Sequence, residues 1–487
     1  MEPLLALPIG LPVRGSRLLL RDLHRQLRTA ITIGRLRPGA RLPSTRALAS
    51  SCGVSRNTAV AAYELLLSEG YVVARSGSGT RVADSLPLSL RATRQVTGGR
   101  DRRLNKAWRS KETRDSAHQR VAAAFSFQIG TPDLRSFPAE AWRLLSNRVL
   151  RKARARPALL ADPQGQELLR REIARYVAFS RAVSCEAEDI IVTAGAQQAF
   201  GLLARVLVTP GRTTVAVEEP GYTPLRASFS AAGAKVSGVA VDADGLAVER
   251  LPPQARVICV TPSHQFPLGS VMSSRRRSEL LDFAQAHRAV IIEDDYDGEF
   301  RFANRPLDAL QTLDQAASVF YVGTFSKSLH PGLRLGYIVA PAWARPAIVA
   351  AKALADGSCC TLTQDTLAAM IAEGHLGRHV RKMHRTYSGR RDALLKGLRD
   401  ECGTWLDPIP SAAGLHIAAV LKMPLDEAAI LAEARRVDVQ VHALGAQYAR
   451  RPLKRGLLFG YGAIEENAVA EGLGRLRRVL RHVSTTL

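Results

Sequence analysis

The chain has 487 residues, 46% of them hydrophobic, and a formal net charge of +24. This length and apolar content predict two or more domains with sizeable cores, and the excess of positive charge points to a polyanionic partner such as nucleic acid. The six cysteines have neither metal-ligand spacing nor a disulfide framework, the N-terminus lacks a basic-then-apolar leader, and no apolar run reaches membrane-spanning length, so we expect a cytoplasmic protein with reduced thiols and no metal site.

Residues 16–34 place Leu19, Leu20, Leu23, Leu27, Ile31 and Ile33 near helical spacing, and Gly34 stops the run. A turn-rich connector follows, Arg37-Pro-Gly-Ala-Arg-Leu-Pro43. Ser44 is placed to cap a second helix to about Ser51, and Cys52-Gly53-Val54 makes a tight turn. Ser55 then caps a third helix, Arg56 to Glu69, whose predicted inner face is Val60, Tyr63, Leu66 and Leu67. Tyr71 to Val82 alternates around Arg75-Ser-Gly-Ser-Gly79, the pattern of a two-stranded wing. An ordinary small helical domain is the competing reading. Helix, glycine turn and helix is the layout of a helix-turn-helix reader of double-stranded DNA. Arg56, Asn57 and Thr58 stand at the exposed start of the third helix, where base edges are met. Arg46, Arg75 and Arg81 are placed to reach flanking phosphates. Over about residues 16–83, the run Gly34-Arg-Leu-Arg-Pro-Gly-Ala-Arg-Leu-Pro-Ser-Thr-Arg-Ala-Leu-Ala with its Gly-Val-Ser-Arg-Asn-Thr closely resembles the winged helix-turn-helix of GntR-family regulators. We therefore expect a DNA-binding domain over 1–83.

Residues 84–123 hold ten Lys or Arg and four Asp or Glu without apolar periodicity, and they read as a basic flexible linker. Strands and helices alternate from Phe125 onward, which predicts an α/β domain over 124–487. Ala194-Gly-Ala-Gln197 is a small-residue turn that opens a helix, a setting that favours a phosphate. Glu219-Pro-Gly-Tyr222, Thr261-Pro-Ser-His-Gln-Phe-Pro-Leu-Gly269 and Glu293-Asp-Asp-Tyr-Asp297 each follow an apolar strand. Open α/β sheets place their ligands beyond such strand ends. In the acidic run, strand geometry sends neighbouring carboxylates to opposite faces, so one should enter the crevice.

The last of these turns is Gly323-Thr-Phe-Ser-Lys-Ser-Leu-His-Pro-Gly-Leu-Arg-Leu-Gly-Tyr337. Its apolar flanks should desolvate Lys327 and leave its amine nucleophilic toward an aldehyde. Arg334 and the hydroxyls of Thr324 and Ser326 suit a phosphate. Aldehyde and phosphate together describe pyridoxal 5'-phosphate. The stretch resembles the cofactor-lysine segment of fold-type I aminotransferases. With the winged helix ahead of it, the whole chain resembles the MocR/GabR-type subfamily of GntR regulators, in which an aminotransferase-like domain serves as effector sensor.

The resemblance implies a multidomain fold, a mainly α winged helix-turn-helix joined to an α/β fold-type I domain. It implies an aldimine between Lys327 and the cofactor, Asp294 on the pyridine nitrogen, Tyr296 on the ring hydroxyl and Tyr222 stacked on the ring. Thr324 and Arg334 would hold the phosphate with the backbone of Ala196 and Gln197. It adds Ser44 and Ser55 to the DNA-binding set, and it implies a domain-swapped homodimer, a small-molecule effector that is an amino compound or pyridoxal phosphate itself, and contact with RNA polymerase. Two positions depart from the aminotransferase pattern. Phe266 occupies the slot of an asparagine that contacts the ring hydroxyl, with His264 and Gln265 as candidates to replace it. Leu458 occupies the slot of an arginine that grips a substrate carboxylate, and Arg455 is offset to the other side of the strand. These departures predict little or no transaminase turnover. An active aminotransferase with an accessory DNA-binding domain is the alternative, and a sensor that has lost its cofactor is a third.

Overall fold

The computed structural model describes residues 19–75, 79–84, 106–109, 123–153, 161–302 and 308–485. The linker assigned to 84–123 therefore lies almost wholly outside the described residues, as does the side chain of Arg75. The chain divides into two compact units, one ending at Asp101 and the other beginning at Arg102.

The first unit is three helices and a wing: α1 (Leu19–Thr32), α2 (Thr45–Cys52), α3 (Arg56–Ser68), β1 (Val72–Arg75) and β2 (Gly79–Val82). Ser44 accepts the Ala47 N–H at 3.2 Å and caps α2, and Gly53 ends it in the left-handed region at φ 65°. Ser55 caps α3 by accepting the Thr58 N–H at 3.1 Å. Each cap contributes about 1 kcal/mol of helix stability. The wing strands pair antiparallel, with Val72 opposite Val82.

Two details of the helix faces differ from the sequence reading. Ile33 lies past the end of α1 and is exposed, while Leu23, Leu27, Ala30 and Ile31 face inward. In α3 the inner face is Ala59, Ala62, Tyr63 and Leu66, and Leu67 points out. The small alanines let α3 approach α1 closely, so the buried stripe is rotated by one residue from the one that bulky apolar side chains suggest.

The second unit is built on an eight-stranded mixed sheet. In spatial order its strands are Ile190–Thr193, Gly336–Val339, Val319–Thr324, Val290–Asp295, Ala255–Val260, Thr214–Glu219, Lys235–Asp242 and Gly245–Leu246. The five from Val319–Thr324 to Lys235–Asp242 run parallel, and Gly336–Val339 runs against both its neighbours. Most central-strand residues are buried, as parallel strands covered on both faces require. Helices Ala196–Leu207, Thr223–Ala231 and Arg345–Asp356 pack on the sheet through Phe200, Leu203, Phe229 and Ile348. A smaller antiparallel sheet orders Leu406–Pro408, His416–Leu421, Gly456–Gly460 and His442–Ala443. The long helices His375–Cys402 and Glu466–Thr485 cover it, and Phe127 meets Phe459 edge to face at 5.6 Å. Among the described residues no helix is long and apolar enough to cross a membrane.

Candidate functional site

The parallel strands of the large sheet deliver their C-terminal ends to one edge, and a cavity of about 260 Å³ opens there. Ala196, Gln197, Tyr222, Asp294, Tyr296, Thr324, Lys327 and Arg334 all line it. These side chains are spread over more than 130 positions of sequence, and the strand ends bring them together.

Strand Val290–Asp295 sorts the acidic run by its alternation. Glu293 and Asp295 face away from the cavity. Glu293 accepts the N–H groups of Leu310 and Gln311, both at 2.9 Å. Asp295 accepts from the Arg181 guanidinium at 2.6 Å and from the Tyr321 hydroxyl at 2.5 Å. Asp294, on the opposite face, is 4% exposed and its Oδ1 has no hydrogen-bond partner. Burial, then the neighbouring Asp295 and Asp297 charges, hold its carboxyl well above the usual carboxylate range. A cationic donor brought into the cavity would complete the hydrogen bonding of this oxygen and favour its charged form.

Lys327 follows the end of strand Val319–Thr324, and its Nζ donates to the Gly130 carbonyl. Burial lowers its affinity for a proton, Arg334 lowers it further, and Asp297 and Asp294 act the other way. The neutral amine, the nucleophilic form, is thereby favoured.

Helix Ala196–Leu207 begins beside Arg334. Its first N–H groups, on Ala196 and Gln197, have no acceptor within the helix. Gly195 caps it at φ 79°, ψ 171°, and a Cβ there would come within 3.2 Å of the Arg334 guanidinium. Arg334 itself donates to the Ala194 carbonyl at 2.6 Å. Thr324 Oγ1 donates to Ser326 Oγ at 3.0 Å, so both hydroxyls face the same corner. Guanidinium, helix N-terminus and paired hydroxyls form an anion cradle that only glycine at 195 leaves open.

Tyr222 immediately precedes helix Thr223–Ala231 and meets Phe266 edge to face at 5.7 Å. The Tyr296 hydroxyl lies 2.9 Å from His264 Nδ1. Neither candidate for the asparagine's place is available. Gln265 donates to the Pro220 carbonyl at 2.9 Å and accepts from Leu268 N at 3.0 Å, and it does not line the cavity. His264 is held by Asp297 at 2.9 Å through Nδ1 and by Ser411 at 3.0 Å through Nε2. Both side chains are tied into the structure behind the cavity instead. Leu458 is fully buried beside Phe266 and Ile129, and Arg455 is exposed outside the strand. Sequence reasoning missed His416 and Gly130, which also line the cavity. His416 comes from the smaller sheet and Gly130 acts through its carbonyl, so neither carried a local motif.

In the first unit Arg46, Arg56 and Asn57 are exposed. Ser44 and Ser55 cap their helices, and Thr58 lies 2.8 Å from Ser55 through its hydroxyl. Arg81 donates to the Gly39 carbonyl at 3.0 Å and ties the wing to the connector. Arg75 ends β1.

An eight-stranded sheet with an amine, a lone carboxylate and an anion cradle at its C-terminal edge defines a pyridoxal-phosphate domain of fold-type I, here on a chain that also holds a helix-turn-helix. Comparison with known proteins agrees. The model of aminotransferase class I and II matches residues 126–442, and that of bacterial regulatory proteins, gntR family, matches 19–82. The chain is 36% identical to the probable rhizopine catabolism regulatory protein MocR of Rhizobium meliloti, across 94% of this chain and 92% of that one. It is 32% identical to the pyridoxine biosynthesis transcriptional regulator PdxR of Corynebacterium glutamicum, across 98% of each. The α-aminoadipate aminotransferase LysN of Thermus thermophilus, solved with N-(5'-phosphopyridoxyl)-L-leucine, superposes with a TM-score of 0.69 at 26% identity, covering 74% of this chain and 93% of that one. The chain belongs to the MocR/GabR-type regulators, in which a GntR helix-turn-helix is joined to an aminotransferase class I and II domain. The cofactor of this domain is pyridoxal phosphate, and the residues present fit it.

Proposed function

We propose that this protein is a cytoplasmic, pyridoxal-phosphate-dependent DNA-binding transcription regulator whose aminotransferase-like domain senses a small amine, or pyridoxal phosphate itself, through Lys327. The observation that carries the reading is the Asp294 carboxylate, buried without a partner in the cavity that holds the Lys327 amine, on a chain that opens with a helix-turn-helix.

Arg334, the N–H groups of Ala196 and Gln197, and the hydroxyls of Thr324 and Ser326 would hold the phosphate. Asp294 would keep the ring nitrogen protonated, Tyr222 would face the ring, and Tyr296 would stand at its hydroxyl. When bound, the cofactor supplies an aldehyde that condenses reversibly with primary amines. The lowered proton affinity of Lys327 keeps its amine ready for that exchange. Bonding of Lys327 to the cofactor would end the hydrogen bond from Nζ to the Gly130 carbonyl, and an amine that takes the place of Lys327 would free Nζ to remake it. The Gly130 segment would thus hold a Lys327 contact in one state and lack it in the other, and a difference in ligand affinity between two such arrangements is what shifts their populations. The same reading includes a domain-swapped homodimer, contact with RNA polymerase, a basic linker over 84–123, and an operator met by Arg46, Arg56, Asn57, Thr58 and Arg75.

The alternative is an active aminotransferase with an accessory DNA-binding domain, and the likeness to solved aminotransferases favours it. Phe266 and Leu458 weigh against it, because turnover needs the substrate carboxylate oriented as well as bound. Mapping bound DNA across the source genome and assaying the purified protein with amino donors and oxo-acid acceptors separates the two. Specific genomic sites with no multiple turnover support the regulator. Rapid conversion of a common amino acid and oxo-acid pair overturns it in favour of the enzyme.

A further inference from the structure

The cavity has a second wall that the cofactor residues do not occupy, formed by Gln128, Ile129, Thr131, Phe266, Leu415 and His416. His416 stands at the start of strand His416–Leu421 and is 3% exposed. Its Nε2 lies 3.1 Å from the Pro267 carbonyl, which can only accept, so Nε2 carries the ring proton. Burial, then the neighbouring His264 ring, push the imidazole down to about 3. The ring is therefore neutral, and Nδ1 is an acceptor.

Asp297 adds a carboxylate to the cavity lining at 2% exposure, held by His264 at 2.9 Å. Behind Ile129 and Phe266 the packing is apolar, with Ala418, Leu444 and Leu458. A ligand carboxylate brought against this wall would lose water to Ile129, Phe266 and Leu415 and face the Asp297 carboxylate, with only the uncharged Gln128, Thr131 and His416 side chains to offset it. A ligand hydroxyl meets an acceptor instead.

We infer that this wall selects the tail of the sensed amine, taking an uncharged hydroxyl-bearing amine in preference to an amino acid, with His416 accepting from the hydroxyl. The inference rests on the reading that the domain senses an amine at Lys327, and it specifies the chemical class of that amine.

The test is an absorbance titration of the full-length protein loaded with pyridoxal phosphate. The ligands are ethanolamine, glycine and ethylamine, then propanolamine, beta-alanine and propylamine. The expected half-saturation concentration is about tenfold lower for each amino alcohol than for its matched acid, and several-fold lower than for the alkylamine. In His416→Phe the advantage of the alcohol over the alkylamine should vanish while alkylamine binding persists. His416→Gln, which keeps a neutral acceptor, should retain it. Amino acids that bind as tightly as the alcohols, or more tightly, overturn the inference and leave amine sensing standing. A loaded protein whose spectrum responds to none of the six overturns amine sensing itself. The wild-type panel decides both points even if His416→Phe does not fold.

Discussion

The Asp294 carboxylate and the Lys327 amine line the same cavity, and each acts on the other's charge. Burial is the larger influence on both, but Lys327 draws the raised Asp294 carboxyl back down while Asp294 favours the charged form of Lys327. The two groups are not bonded to each other, and the orphan oxygen of Asp294 and the amine of Lys327 leave room for a molecule that carries a cationic donor at one end and an electrophile toward the other.

From this arrangement, borohydride treatment of the loaded protein should leave a pyridoxyl group on Lys327. Peptide mapping that finds the group on another lysine would remove Lys327 from this role. Lys327→Ala should lose the covalent bond yet keep measurable cofactor affinity, because the phosphate cradle is intact. Equilibrium dialysis measures that remainder.

Gly195→Ala tests the cradle. Its φ of 79° with ψ of 171° belongs to a region almost reserved for glycine, and the added Cβ meets Arg334. The strain is about 1–3 kcal/mol. Thermal denaturation should register a loss of that size, and free phosphate should compete with the cofactor less well than in wild type. Unchanged phosphate competition would place the phosphate elsewhere.

Two arginines of the helix-turn-helix should behave differently. Arg56→Ala should cost about 1–3 kcal/mol of operator affinity and relax specificity at one position. Arg46→Ala should weaken binding to all sequences evenly and lower the salt slope by about one unit. Binding isotherms over a range of salt read both. An Arg56→Ala protein with native affinity and specificity would take Arg56 out of base reading.

A buried acid should shape the pH dependence of stability. Burial pushes the Glu218 carboxyl up to about 7 from 4.5, against hydrogen bonds from Thr261 and Gln265 that favour the charged form. The folded chain thus binds this proton more tightly than the unfolded chain. The contribution is present in full below 4.5 and is lost as pH rises through about 7. On the order of 3 kcal/mol is involved. Between pH 5 and pH 8, wild type should lose more stability in urea than Glu218→Gln does, whatever the variant's absolute stability. Equal slopes would show that Glu218 is ionised in the fold throughout.

Much of the site was legible because its chemistry is carried by short local runs at strand ends. Lys327 and Arg334 sit within one turn, and Asp294 and Tyr296 within one acidic run; alternation sent Asp294 and Asp295 to opposite faces, and the family resemblance chose Asp294 for the cavity. What was not legible depends on contacts between distant segments. Gln265 appeared free to serve the ring hydroxyl, but Glu218 and Pro220, more than forty positions away in sequence, engage its amide. His416 enters from another sheet. In α3, Ala59 and Ala62 gave a weaker apolar signal than Val60 and Leu67, yet close helix packing buries the smaller pair.

The state of the Lys327 site should be coupled to DNA binding by the same chain. The most direct measurement is the operator affinity of the full-length protein with and without pyridoxal phosphate, repeated with Lys327→Ala. A coupling of about 1–3 kcal/mol, some 5- to 150-fold in affinity, is expected for wild type, and a much smaller difference for the variant. Identical operator affinity for cofactor-free and loaded wild-type protein, with the cofactor shown to be bound at Lys327, would contradict it.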